Sequence, residues 1–224
     1  MSKNNFVQKD ERYDFFLLFW ILIITLIAGY TNAFSLQHLG ETVSHHTGHL
    51  TNIGILSDKF VLSIKSVIAY FFGAFLSGLS FGNPDLKYKR RYGFLFFFVG
   101  ILDFILFYNL NFLNIYILAF EMGLQNSFVL HVNNFLVRTT HMTGYITDFG
   151  FSLGALFRSD TDKSLHKFRI YFYGASILSF VIGAVLEAKI FQLDTKYSIL
   201  LLAILNLVAA FIYHQIRNQK MNKS

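Results

Sequence analysis

Two stretches of the chain carry hydrogen-bonding side chains at matched spacing: HHTGHLTNIG, His45–Gly54, and HMTGYITDFG, His141–Gly150. Each sets a His three residues before a Gly, a Thr between them, and a second Thr one helical turn later. Thr and Gly suit the start of a helix. Thr47 or Thr143 would accept from free backbone N–H groups, and Gly48 and Gly144 would let backbone or ligand approach closely. Two such termini aimed at one point would offer N–H donors and partial positive charge to an anionic group. The plainer alternative is tight helix packing, with each hydroxyl bonded inside its own helix. His45 and His141 hold equivalent places. His46 and His49 add to the first copy, and imidazole suits zinc, copper or nickel. No carboxylate clusters beside them in sequence and the second copy has one His, so the histidines are read as hydrogen-bonded interfacial groups. No metal or cofactor is assigned. Asp148 follows the second motif where the first has Asn52.

The elements that must carry these motifs are apolar. Of 224 residues, 54% are hydrophobic and 14% charged, where a soluble domain has about a quarter charged. Phe occurs 28 times, with one Pro and no Cys, so disulfides and thiolate metal sites are excluded. The net charge of +6 does not read as a nucleic-acid surface, because the basic residues cluster between apolar runs. A bilayer core about 30 Å thick needs roughly 20 apolar residues per helix. Six segments qualify: Asp14–Leu36, Phe60–Phe81, Tyr92–Leu110, Phe112–His131, Phe168–Ile190 and Tyr197–Ile216. The first is too long for a signal peptide and lacks a small-residue cleavage site, so it reads as a retained anchor in a single membrane domain over residues 1–224.

Charges inside such spans cost about 2.5–3.5 kcal/mol on insertion scales, which makes intramembrane ionisable residues functional candidates. Asp103 lies near the middle of the third span. Glu121 lies near the middle of the fourth, one turn from Gln125 and so on the same face. They read as proton or cation sites on a polar pathway, or as a buried hydrogen-bonded pair joining helices. Asn32 and Asn126 are the repeat-paired amides, and Asn206 lies in the sixth span.

The chain also repeats itself. GYTNAFSL at Gly29 matches GLQNSFVL at Gly123, an offset of 94, and the two decapeptides match at an offset of 96. Ala69, Gly73 and Ser77 pair with Ala175, Ser179 and Gly183 at an offset of 106. The repeat covers 14–110 and 112–217. Three spans per half make the repeats inverted, as in many transporters. Four per half, with the decapeptides crossing, make eight spans and parallel repeats. Charge decides between them. With six spans and cytoplasmic termini, Lys3, Lys9, Arg12, the KYKRR cluster, Arg138, Arg158, Lys163, Lys167, Arg169, Arg217, Lys220 and Lys223 lie inside, leaving mainly Lys59, Lys189 and Lys196 outside. Eight spans put KYKRR outside, so the positive-inside rule favours six. Each decapeptide then dips into the membrane from one face as a short helix, lining a cavity or buried in protein.

The segments AGYTNAFS (Ala28–Ser35), HTGH (His46–His49), GLQN (Gly123–Asn126) and RTTHMTG (Arg138–Gly144) resemble the YoaK family of bacterial membrane proteins, a domain-of-unknown-function family. The likeness runs from about Ala28 to Leu186. His49 stands where the family has Asn. The resemblance implies a plasma-membrane protein of about six spans with no established activity.

The sequence therefore predicts an all-α polytopic protein of the cell membrane. It would touch lipid and no nucleic acid, and would be a transporter or channel for a small solute or ion. The predicted pathway is Asn32, Thr47, Gly48, Asp103, Glu121, Gln125, Asn126, His141, Thr143, Gly144 and Asp148, converging between the two dipping segments. The rival is a membrane scaffold or sensor whose polar motifs only lock helices. An intramembrane enzyme using His141 with Asp148 needs an oriented partner that spacing alone does not supply.

Overall fold

The computed structural model describes residues 15–81, 91–127, 130–132, 135–137 and 139–221. The N-terminal Lys3, Lys9 and Arg12, most of the KYKRR cluster, Arg138 and Lys223 lie outside the described residues. The fold is helical. In chain order it has α1 (Phe15–Leu39), α2 (His46–Gly54), α3 (Phe60–Phe81), α4 (Arg91–Tyr108), α5 (Asn114–Ser127), α6 (Met142–Ala155), α7 (Lys163–Phe191) and α8 (Thr195–Met221). A small antiparallel hairpin, β1 (Leu130–Val132) with β2 (Phe135–Val137), sits between α5 and α6.

Among the described residues, α1, α3, α4, α7 and α8 are long and apolar enough to cross a membrane. The fourth expected span differs. Its helix, α5, has 14 residues and stops at Ser127, roughly 21 Å at 1.5 Å per residue. The expected helical run through His131 instead turns into the hairpin. The side chains at its end bond outward to other elements, Gln125 to Ile24 O and Thr139, and Asn126 to Tyr70.

Local chemistry sets several ends. Gly40 closes α1 with φ +78°, and its N–H bonds Leu36 O at 3.1 Å. This is the left-handed stop that glycine favours. Asp162 caps α7 by accepting from the N–H groups of Ser164 and Leu165 at 2.9 and 3.2 Å. The hydrophobic exterior is broad: Phe71, Phe75, Phe94, Phe97, Leu178, Val181 and Phe211 are all exposed, as lipid contact requires.

Side-chain pairs fix the helix directions. Ser179 Oγ donates to Leu22 O at 2.8 Å and Gln37 donates to Glu187 at 2.8 Å, so α1 and α7 run parallel. Trp20 donates to Ala209 O at 2.9 Å and Tyr30 to Ser198 O at 2.8 Å, so α1 and α8 are antiparallel. Gly93 faces Tyr213 and Ala210 while Asn206 bonds Asp103, so α4 and α8 are antiparallel too. With the short α4–α5 and α7–α8 connections, α1, α3, α4, α5, α7 and α8 alternate in direction.

Two helix crossings correspond residue for residue. At α1·α7, Gly29 lies on the Phe180 backbone and Gly183 on Leu26 and Tyr30. At α3·α5, Gly123 lies on the Tyr70 backbone and Gly73 on Phe120 and Leu124. A Cβ at Gly29 would stand 2.8 Å from Phe180 C, and one at Gly73 2.8 Å from Leu124 N. The contacts match Gly73 with Gly183 and Gly29 with Gly123. The small-residue register read from sequence is therefore one helical turn out.

Candidate functional site

The two decapeptides fold alike. His45 and His141 are the N-cap residues of α2 and α6, with φ/ψ of −94°/60° and −87°/59°, and neither side chain makes a capping hydrogen bond. Their rings fold back over Gly48 and Gly144. A Cβ there would stand 2.6 Å from His45 Nε2 or 2.5 Å from His141 Nδ1, so the glycines make room for the imidazoles. The expected threonine cap is thus corrected: His precedes the first turn and Thr lies inside it. Thr47 and Thr143 are exposed, and their carbonyls accept the hydroxyls of Thr51 and Thr147 at 3.0 and 2.9 Å. The hydroxyls that bond back within each helix are thus those of Thr51 and Thr147, one turn after the threonine of each Thr-Gly pair.

The residue after each glycine turns inward. His49 is buried, with Nδ1 at 3.2 Å from Ser63 Oγ and Nε2 at 3.4 Å from Thr42 O. Tyr145, its counterpart, is buried against Phe172 and Tyr173. His46 lies against Tyr70, ring centroids 3.8 Å apart. Asn126 donates to the same Tyr70 hydroxyl. Asp148, on the exposed side of α6, reaches the Tyr173 hydroxyl.

The segments leading into α2 and α6 are tied to the preceding helices. Asn32 Oδ1 accepts from Ser44 N and Oγ at 3.2 and 2.8 Å. Gln125, buried, donates to Ile24 O at 2.7 Å and to Thr139 Oγ1 at 3.2 Å. So Ser44 lies beside a residue two turns inside the end of α1, and Thr139 beside the last turns of α5. At the exposed α1–α2 and α2–α3 turns, Lys59 pairs with Glu41, whose carboxylate holds the ammonium above its ordinary range.

A third cluster gathers Asp103 from α4, Glu121 from α5 and Asn206 from α8. They are 0%, 4% and 2% exposed. Asn206 Nδ2 donates to Asp103 Oδ2 at 2.8 Å, and the Asp103 and Glu121 carboxyls interact directly. The structure therefore joins Asp103, Glu121 and Asn206. It does not bring α2 and α6 together: α2 packs on α3 and α6 on α7. The predicted convergence of Thr47, Gly48, Thr143 and Gly144 at one point is corrected accordingly, because each motif's buried side chain binds its own neighbouring helix. Among the described residues no group of three or more His, Cys, Asp or Glu is placed to hold a metal.

Sequence reading missed Glu187. It is fully buried on α7, and both its oxygens accept: from Gln37 Nε2 at 2.8 Å and from Ser198 Oγ at 3.0 Å. The signal was its place four residues after Gly183, on the α7 face that meets α1.

These features define a polytopic helical membrane protein with polar groups buried between its helices. The chain belongs to the family described as Protein of unknown function (DUF1275), which matches residues 20–212. This is the family the YoaK-like motifs point to. No curated protein and no solved structure matches the chain.

Proposed function

We propose that the protein is a non-enzymatic transporter or channel for a small solute or ion in the bacterial plasma membrane. It would be built as two inverted repeats with cytoplasmic termini. The observation that carries this is the mirrored pairing of the halves. The α1·α7 and α3·α5 crossings correspond contact by contact, and the equivalent helices α4 and α8 run antiparallel against each other. Exchange of the halves by a two-fold axis lying in the membrane plane produces that pattern, and inverted repeats allow one half to rock on the other around a central site. Ser44 beside Asn32 and Thr139 beside Gln125 support decapeptides that dip in and return without crossing. On this arrangement the described cations Arg91, Arg158, Lys163, Lys167, Arg169 and Arg217 share one side, opposite Lys59, Lys189 and Lys196, as the positive-inside rule asks.

The test is flux through proteoliposomes holding the purified protein, scanned against monovalent ions and small polar solutes. Wild type should pass at least one above empty liposomes, and Gln125→Leu, which unties α5 from α1 and Thr139, should lose it. Monodisperse wild type that passes nothing in the panel removes the transport reading. It leaves the scaffold reading, which the outward-facing Thr47 and Thr143 favour.

A further inference from the structure

Among the described residues three carboxyl groups are buried, Asp103, Glu121 and Glu187, and they are treated differently. At Glu187 both oxygens receive hydrogen bonds, from Gln37 and Ser198. At Asp103 and Glu121 acceptors meet acceptors. Asp103 Oδ1, Glu121 Oε1 and Asn206 Oδ1 are all buried without a hydrogen-bond donor. Asn206 is the informative member. Its amide is oriented by the Nδ2 bond to Asp103 Oδ2 at 2.8 Å, with a longer bond to Leu202 O at 3.4 Å. Its carbonyl oxygen, on the same amide as the Nδ2 that bonds Asp103, is left buried without a partner. No lysine or arginine acts on either carboxyl among the described residues; each other and Asn206 are the groups that do.

Buried oxygens without donors are costly, and two facing carboxyls in a low-dielectric interior repel. A positive charge among them removes both costs. We infer that Asp103, Glu121 and Asn206 form a binding site for one small monovalent cation, a proton or Na⁺. The three free side-chain oxygens are too few for a calcium-type ion, which takes about 6–8; a proton needs only the two carboxyls, and Na⁺ would complete its shell with water. The site joins α4, α5 and α8, which come from both halves of the chain. Cation occupancy therefore governs how firmly the halves are held together. This deepens the transport reading by naming the ion that would couple to movement, and it rests on that reading for the site's use, not for its existence.

The experiment measures thermal unfolding of the full chain in detergent, by circular dichroism, in three conditions: choline chloride at pH 8, choline chloride at pH 6, and NaCl at pH 8. Wild type should unfold later in one of the last two than in the first. The condition that moves it identifies the ion. Glu121→Gln and Asp103→Asn should lose that dependence. Asn206→Leu, which keeps both carboxyls, should weaken it. If a variant does not fold, infrared difference spectra of wild type between the same conditions report the carboxyl band directly, and that band should change. An unfolding curve identical in all three conditions, an unchanged carboxyl band, or an ion dependence equal to wild type in Glu121→Gln overturns the site. Ion-dependent unfolding without flux keeps the site and removes transport. Flux in Glu121→Gln with wild-type ion dependence does the reverse.

Discussion

Replacing Gly73 by Ala adds one methyl group at the place where α3 crosses α5. Its Cβ would stand 2.8 Å from Leu124 N and 2.9 Å from Phe120 C, and nearer still to Phe120 O. All three are backbone atoms of a helix, so no side chain can swing aside. The helices must separate by at least ~0.5 Å, and a gap of about 0.5–1 Å forfeits a quarter to a half of each dispersion contact along the crossing. Overpacking of this kind costs about 1–3 kcal/mol. The control lies five residues along the same helix. A Cβ at Gly78 meets nothing within 4 Å, so Gly78→Ala carries only the helix-propensity gain of about 0.8–1 kcal/mol. Equilibrium unfolding in mixed micelles, followed by circular dichroism, should move the two variants in opposite directions. Gly29→Ala at the matching α1·α7 crossing should behave like Gly73→Ala. Gly29→Ala combined with Gly183→Ala, at one crossing, should fall short of additivity, whereas Gly29→Ala with Gly73→Ala should add within ~0.5 kcal/mol. Equal shifts of one sign for Gly73→Ala and Gly78→Ala would refute the close backbone contact and the mirrored packing drawn from it.

The native absence of Cys makes single cysteines at Asp58 and Asp160 clean reporters. Membrane-impermeant maleimide should label them from opposite sides of oriented vesicles, and labelling from one side removes the inverted arrangement. Trp20→Phe deletes the bond from Trp20 Nε1 to Ala209 O while keeping the aromatic contacts with Phe96 and Tyr213, so it should destabilise by about 0.5–1.5 kcal/mol in the same unfolding assay. Glu187→Leu strips the acceptor from Gln37 and Ser198 and should cost about 1.5–3 kcal/mol, with Glu187→Gln milder. The Lys59–Glu41 pair raises the Lys59 pKa. Any stability it gives is fully present below the ordinary lysine value and fades as pH rises through the raised one. Because Lys59 is exposed that stability is small, so Glu41→Gln, which removes it at neutral pH, should lower the melting midpoint only slightly.

The long helices were legible because length and hydropathy set them: α3 spans the predicted Phe60–Phe81. α5 was not, because apolar residues run on past Ser127 while the backbone leaves the helix there. Asp103, Glu121 and the equivalence of the decapeptides were readable from residue type and spacing alone. What the decapeptides pack on was not, since a period shows the face of a helix but not its partner. The same limit explains the small-residue register. Spacing by four recurs at every turn, and only Gly183 resting on Leu26 and Tyr30 shows which turn is matched. Thr47 does not cap because the N-cap position falls at His45, whose ring lies over Gly48 without a capping hydrogen bond.

The crossing of α1 with α7 has a consequence for how the chain is made. The glycine face of α1 is covered only when residues near Gly183 arrive, and the roughly 150 residues between take about 8–30 s at ribosomal speed. Until then α1 sits in lipid, or against an insertase, with its backbone-exposing stripe unfilled. A chain truncated before α7 should therefore be met by the cell's quality control as an orphan.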